Sequence, residues 1–197
     1  MNDFKLYLEI GFQHIANLRG IDHILFVLAL TIRFQFDDWR KVFILVTAFT
    51  IGHSITLALS VFNLVNYSAK WIEFLIPLTI LITAFSNLFI KKFVFKSKFP
   101  LIYFLALFFG LVHGLGFSNY LKSLLGKDQS IILQLLAFNV GLELGQLMIV
   151  FFILLISFIF VTIIKINRRE FLLFISAAIF ALALNMALER IPFVLPF

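Results

Sequence analysis

The sequence contains no cysteine, which excludes disulfides, thiolate metal sites, iron–sulfur ligation and cysteine nucleophiles. Charge is scarce too: Asp, Glu, Lys and Arg make up 13% of the 197 residues, about half their share in a soluble domain. Hydrophobic residues take their place, at 62% of the chain with a mean hydropathy of +1.09. Water cannot be the solvent for most of such a surface, and the 28 phenylalanines suit a lipid-facing one. The length leaves room for about six spans of roughly 20 residues and short connections. The expected fold is all-α: a polytopic transmembrane helix bundle forming one membrane domain over 1–197. The net charge of +6, from 16 Lys and Arg against 10 Asp and Glu, is read as a positive-inside signal rather than a nucleic-acid footprint. The expected partners are the lipid bilayer and no nucleic acid; protein partners are not legible.

Apolar runs bounded by charge place spans near Gly20–Ile32, Val42–Phe62, Trp71–Ile90, Pro100–Tyr120, Ile131–Ile164 and Phe171–Leu188. Residues 4–18 read as an interfacial or re-entrant helix leading into the short first span. The start, Met1-Asn2-Asp3-Phe4-Lys5, lacks the basic n-region of a cleaved signal peptide. Arg33, Arg40, Lys41, Lys91, Lys92, Lys96, Lys98, Lys165, Arg168 and Arg169 fall in the odd-numbered loops, while Lys5, Arg19, Lys70, Lys122, Lys127 and Arg190 fall at the termini and in the even ones. The bias puts the odd loops in the cytoplasm and both termini on the outer, periplasmic side of a bacterial inner membrane. No internal repeat or low-complexity segment is present.

Ionisable groups at membrane depth cost from about 2.5 kcal/mol upward, so those that remain face the bundle interior and carry function. Four motifs hold them. In the first, His14 and Asp22-His23 flank Asn17 and Gly20. Nine residues apart, the two histidines would point to opposite sides of an unbroken helix, so a break at Asn17–Gly20 is needed to bring them together. Asp22 is a candidate ligand or an orienting carboxylate. The second motif is Thr50-Ile51-Gly52-His53-Ser54, where Gly52 allows another backbone to come close and Ser54 is expected to bond back to the carbonyl one turn earlier. The third is Gly110-Leu111-Val112-His113-Gly114, with small residues suited to tight packing around a buried polar group. The fourth places Asn139, Glu143 and Gln146 on one face by their offsets of 0, +4 and +7, with Gly141 and Gly145 between them. Asn185 and Glu189 lie four apart near the outer end of the last span, as supporting groups or the lining of an access path.

A lone membrane histidine is as often a helix-to-helix hydrogen-bonding group as a ligand, and that is the expected role of Asn139 and Gln146. Four histidines at one expected level point instead to a shared site, with His14, Asp22, His23, His53, His113 and Glu143 as candidate ligands of a divalent transition metal. Imidazole with carboxylate suits nickel, cobalt, zinc, copper(II) or iron. Axial ligation of haem by two histidines is the weaker reading, because Asp22 and Glu143 would spoil an apolar slot.

Taken together, the H-x7-D-H stretch from His14 to His23, the T-x-G-H-S of span two, the H-G-x-G-F of span four and the N-x-G-x-E-x-G-Q of span five resemble the HupE/UreJ family. His14 is followed by Ile15 and stands seven residues from the D-H pair, so the chain resembles a divergent branch. The resemblance implies a nickel/cobalt permease or a metallocentre accessory protein of hydrogenase and urease systems. A zinc-dependent intramembrane hydrolase with Asp22 or Glu143 as general base is the alternative, helped by a general likeness to the alkaline ceramidase group. A metal-stabilised receptor or assembly factor is the third.

Overall fold

The computed structural model describes residues 3–17, 20–91, 93, 101–124 and 131–192. Arg19, Lys92, Lys96, Lys98, Pro100 and Lys127, used above for topology and span limits, lie outside them. The described residues form seven α-helices and no strand: α1 (Asp3–Ala16), α2 (Ile21–Thr31), α3 (Trp39–Val61), α4 (Ala69–Leu88), α5 (Leu101–Leu124), α6 (Ile131–Phe158, continued by a π-turn over Ile159–Ile163) and α7 (Arg168–Glu189). Five of these, α3 to α7, are long and apolar enough to cross a membrane. The chain is an all-helical membrane bundle. Large side chains on the outward faces, such as Phe104, Phe151, Phe152 and Phe174, are exposed, as lipid-facing surface should be.

Two short helices precede them. α1 has 14 residues and α2 has 11, and neither spans about 30 Å alone. They run one after the other along α6. A Cβ on Gly11 would overlap the Phe138 carbonyl, one on Gly141 would overlap that of Leu8, and Gly145 meets Ile15. From Leu8–Gly141 through Gly11–Leu142 to Ile15–Gly145 the contact positions rise together on α1 and α6, so the two helices are parallel. α2 then shares a core with Val150, Ile153 and Leu154 further along α6. Phe36, just beyond α2, packs on Phe151 and Phe158. The bend between them is closed by the Gly20 N–H donating to the Asn17 carbonyl at 2.9 Å.

Glycine also joins α3 to α5. Gly52 lies against the Leu107 carbonyl, Gly110 against that of Phe49, and Gly114 against His53 and Thr56. Each glycine supplies the gap for the partner backbone, which is how the small residues around His53 and His113 are used. α3 ends at Asn63, whose φ of 57° is the left-handed conformation asparagine tolerates after a helix; the Leu64 N–H reaches back to the Leu59 carbonyl at 2.8 Å. α4 pairs with α7, with Phe85 against Phe180. At the end of the bundle where α2 meets α3, Asn87 donates to the Ala29 carbonyl at 2.6 Å and Arg168 to that of Arg33 at 2.8 Å. These bonds fix α2 at the level where its first turn carries His23.

Candidate metal centre

His14 sits in the last turn of α1 and His23 in the first turn of α2. Because the chain breaks between them, their rings meet with centroids 4.5 Å apart. His53 of α3 approaches His14 at 6.0 Å between centroids. One ring nitrogen from each of His14, His23 and His53 lies within 4.8 Å of the others, a group able to hold a metal ion. Three imidazole nitrogens bound at 2.0–2.1 Å in a tetrahedral sphere stand about 3.4 Å apart, so closure needs ring movements of about 1 Å.

Burial makes these nitrogens demanding. His23, His53 and His113 are 8%, 0% and 1% exposed. Among the described residues, Nε2 of His14, both nitrogens of His23 and of His53, and Nδ1 of His113 are buried without a hydrogen-bond partner. A buried polar atom left unpaired costs about 1–3 kcal/mol, and an imidazole carries a lone pair for a cation. The donor set therefore fits a divalent transition metal.

His113 lies beside the trio, its ring 5.3 Å from that of His23. Its Nε2 is 3.3 Å from the Thr79 hydroxyl. That hydroxyl already donates its one hydrogen to the Ile76 carbonyl at 2.7 Å, so it accepts from Nε2–H of His113. The proton is thereby held on Nε2, and Nδ1 keeps its lone pair free for a ligand.

The two sides of the cluster differ. On one, a cavity of about 420 Å³ is lined by His14, His23, Gln13, Asn17, Phe117 and Tyr120. On the other, the buried rings of Phe26, Phe49 and Phe109 form a floor. Phe26 and Phe49 stand 5.1 and 5.4 Å from the His113 ring, and Phe26 stands 5.5 Å from Phe109.

The remaining candidates go elsewhere. Asp22 pairs with Arg190 at 2.8 Å, tying the end of α7 to the start of α2. Glu143 accepts from the Thr47 hydroxyl at 2.7 Å. Thr47 precedes His53 by six residues, about 9 Å of helix rise, so the carboxylate lies off the level of the imidazoles. Gln146 accepts from Thr50 at 2.9 Å, which joins α6 to α3, and Asn139 keeps a buried Oδ1 with no partner among the described residues. Ser54 donates to the Thr50 carbonyl at 2.7 Å. Asn185 and Glu189 are exposed and bonded to each other at 2.7 Å. Sequence reasoning missed Thr79, Thr47 and Arg190. Thr47 could have been found, since it stands three residues before Thr50 and six before His53, along one row of α3.

Fold and site together define a helical membrane protein with a buried cluster of imidazoles at a break between two short helices. The HupE / UreJ protein family matches residues 1–190, nearly the whole chain, and the chain belongs to that family. No curated protein and no solved structure matches it.

Proposed function

We propose that this protein is a permease for nickel or cobalt, with His14, His23 and His53 as its capture site and Nδ1 of His113 as a further donor. The family is associated with nickel/cobalt transport or with urease and hydrogenase maturation, and the donor set agrees with such cargo. The observation that carries the reading is the approach of three imidazole nitrogens to within 4.8 Å at a break between two short helices. Half-helix breaks are where transporters build their ion sites, because local rearrangement there changes ligand geometry without unfolding a span.

The cation enters from the cavity beside Gln13 and Asn17 and exchanges waters for imidazoles as the rings close. Neutral imidazole is the ligand, so capture requires no buried charge before the metal arrives. On the positive-inside reading the cavity faces the outside of a bacterial inner membrane, and movement is inward.

A zinc-dependent hydrolase is the second reading, favoured by the phenylalanine floor that closes one side of the cluster. There His14, His23 and His53 would hold zinc, whose chemistry is to raise the acidity of a bound water. The hydrogen bonds of Asp22 to Arg190 and of Glu143 to Thr47 leave that water without a carboxylate base in this conformation, which weighs against it.

The test is elemental mass spectrometry on detergent-purified protein, paired with uptake into liposomes containing a metal-sensing dye. Exchangeable nickel or cobalt that is lost in His14→Ala, His23→Ala and His53→Ala, together with uptake by the wild type, supports the permease. Tightly held zinc with no uptake supports the hydrolase. No metal bound after incubation with nickel, cobalt and zinc overturns both.

A further inference from the structure

The phenylalanine floor blocks a straight route down the bundle axis, but a line of oxygen atoms leaves the cluster sideways. On α3, Thr50 and Thr47 stand one and two turns before His53, toward the helix end that carries Arg40 and Lys41. Their hydroxyls meet Gln146 and Glu143 of α6 at 2.9 and 2.7 Å. Above these on the same α6 face is Asn139, whose buried Oδ1 has no partner among the described residues. Asn139 follows Phe138, whose ring stacks 6.3 Å from that of His53, so the line begins at the level of the imidazoles. Thr50 and Gln146 are buried, while Thr47 and Glu143 are half-buried; the line thus follows the α3–α6 seam away from the imidazoles.

We infer that this seam is a second cation station, through which the divalent metal leaves the histidines. It rests on the permease reading and supplies the step which that reading lacks. Both hydroxyls spend their hydrogens on the Gln146 and Glu143 oxygens and keep their own lone pairs as acceptors. Glu143 keeps a second carboxylate oxygen, and Asn139 offers an unpaired carbonyl oxygen. A station of oxygens alone holds nickel or cobalt more weakly than imidazoles do. Passage requires that order, since a cation must be captured firmly and then released. The carboxylate also supplies the countercharge that neutral imidazoles lack, about 9 Å further along α3.

Two measurements test the station. In the first, Glu143→Gln and Thr47→Val are compared with wild type for metal bound at equilibrium and for uptake into liposomes. Uptake should fall at least about tenfold with the histidine-bound metal retained. Wild-type uptake in both variants, or loss of the bound metal, overturns the station.

The second measurement does not need transport. The absence of cysteine makes single-cysteine labelling clean. Thr47→Cys should react with a charged, membrane-impermeant methanethiosulfonate reagent faster than Ile51→Cys, whose parent side chain on the same helix is 49% exposed on the lipid-facing surface. Nickel should slow the reaction at position 47. Equal rates at 47 and 51, or no protection by nickel, overturn the station. Selective labelling with protection in a protein that shows no uptake sustains the station and sinks the permease reading instead.

Discussion

The two halves of the histidine cluster are held in different ways. His53 and His113 stand on α3 and α5, full-length helices locked together by Gly52, Gly110 and Gly114 against facing backbone. His14 and His23 stand on α1 and α2, short helices separated by a break and positioned by what lies beside them: Gly11, Gly141 and Gly145 at the α1–α6 contact, and the Asp22–Arg190 pair at the start of α2. Glycine packs α1 on α6 as closely as it packs α3 on α5; what differs is the break between His14 and His23, which makes theirs the hinged half, against the unbroken wall of α3 and α5. On the permease reading, one unbroken and one hinged half let the site close on an ion and open to release it.

Five substitutions would break or sharpen that comparison, in decreasing order of expected effect. Gly52→Ile places a branched side chain where the α5 backbone runs, and should destabilise the bundle by about 3 kcal/mol or prevent folding; thermal unfolding in detergent reads it. A variant with wild-type melting would show that the wall is not close-packed. Next, His53→Ala should weaken nickel binding by at least about 100-fold, since an imidazole ligand matters more than the 10–100-fold of an outer-shell partner. His14→Ala, on the hinged half, should weaken it less. Calorimetric titration of both variants decides the order, and the reverse ranking would put the principal ligands on the broken helix.

Thr79→Val removes the acceptor for His113 Nε2–H while keeping the side chain's shape. Nickel affinity should fall about tenfold with little loss of stability, and nitrogen NMR of labelled histidine should show His113 losing its single tautomer. An unchanged tautomer would mean that something other than Thr79 sets the proton. The smallest effect belongs to Arg190→Ala. The ion pair is part-exposed, with Arg190 at 34% and Asp22 at 16%, so stability should drop by roughly 1 kcal/mol or less. Faster amide exchange at the first turn of α2, with α3 and α5 unchanged, would locate the looseness in the hinged half.

Most of the fold was legible because its signals are local. The expected spans at Val42–Phe62, Trp71–Ile90 and Phe171–Leu188 correspond to α3, α4 and α7 with limits one to three residues different, and the overlong fifth span is α6 with its π-turn. The break at Asn17–Gly20 was legible for the same reason: an amide and a glycine interrupt the apolar periodicity between two histidines. The carboxylates were not legible. Asp22 adjoins His23 in sequence, yet its partner is Arg190, 168 residues away. Glu143 lies on the expected α6 face, but the helix facing that point is α3 at Thr47, below the imidazoles.

By itself, the sequence determined that this chain lives in lipid, that it is helical, and which side chains are too polar to face the bilayer. Those facts follow from hydropathy and period, which are properties of neighbours along the chain. Only the tertiary structure decided which polar groups meet: imidazoles from four helices at one point, carboxylates at two others. That outcome depends on which helices touch and at what height. Glycine-to-backbone contacts between residues more than 50 positions apart fix both, and no local pattern encodes them.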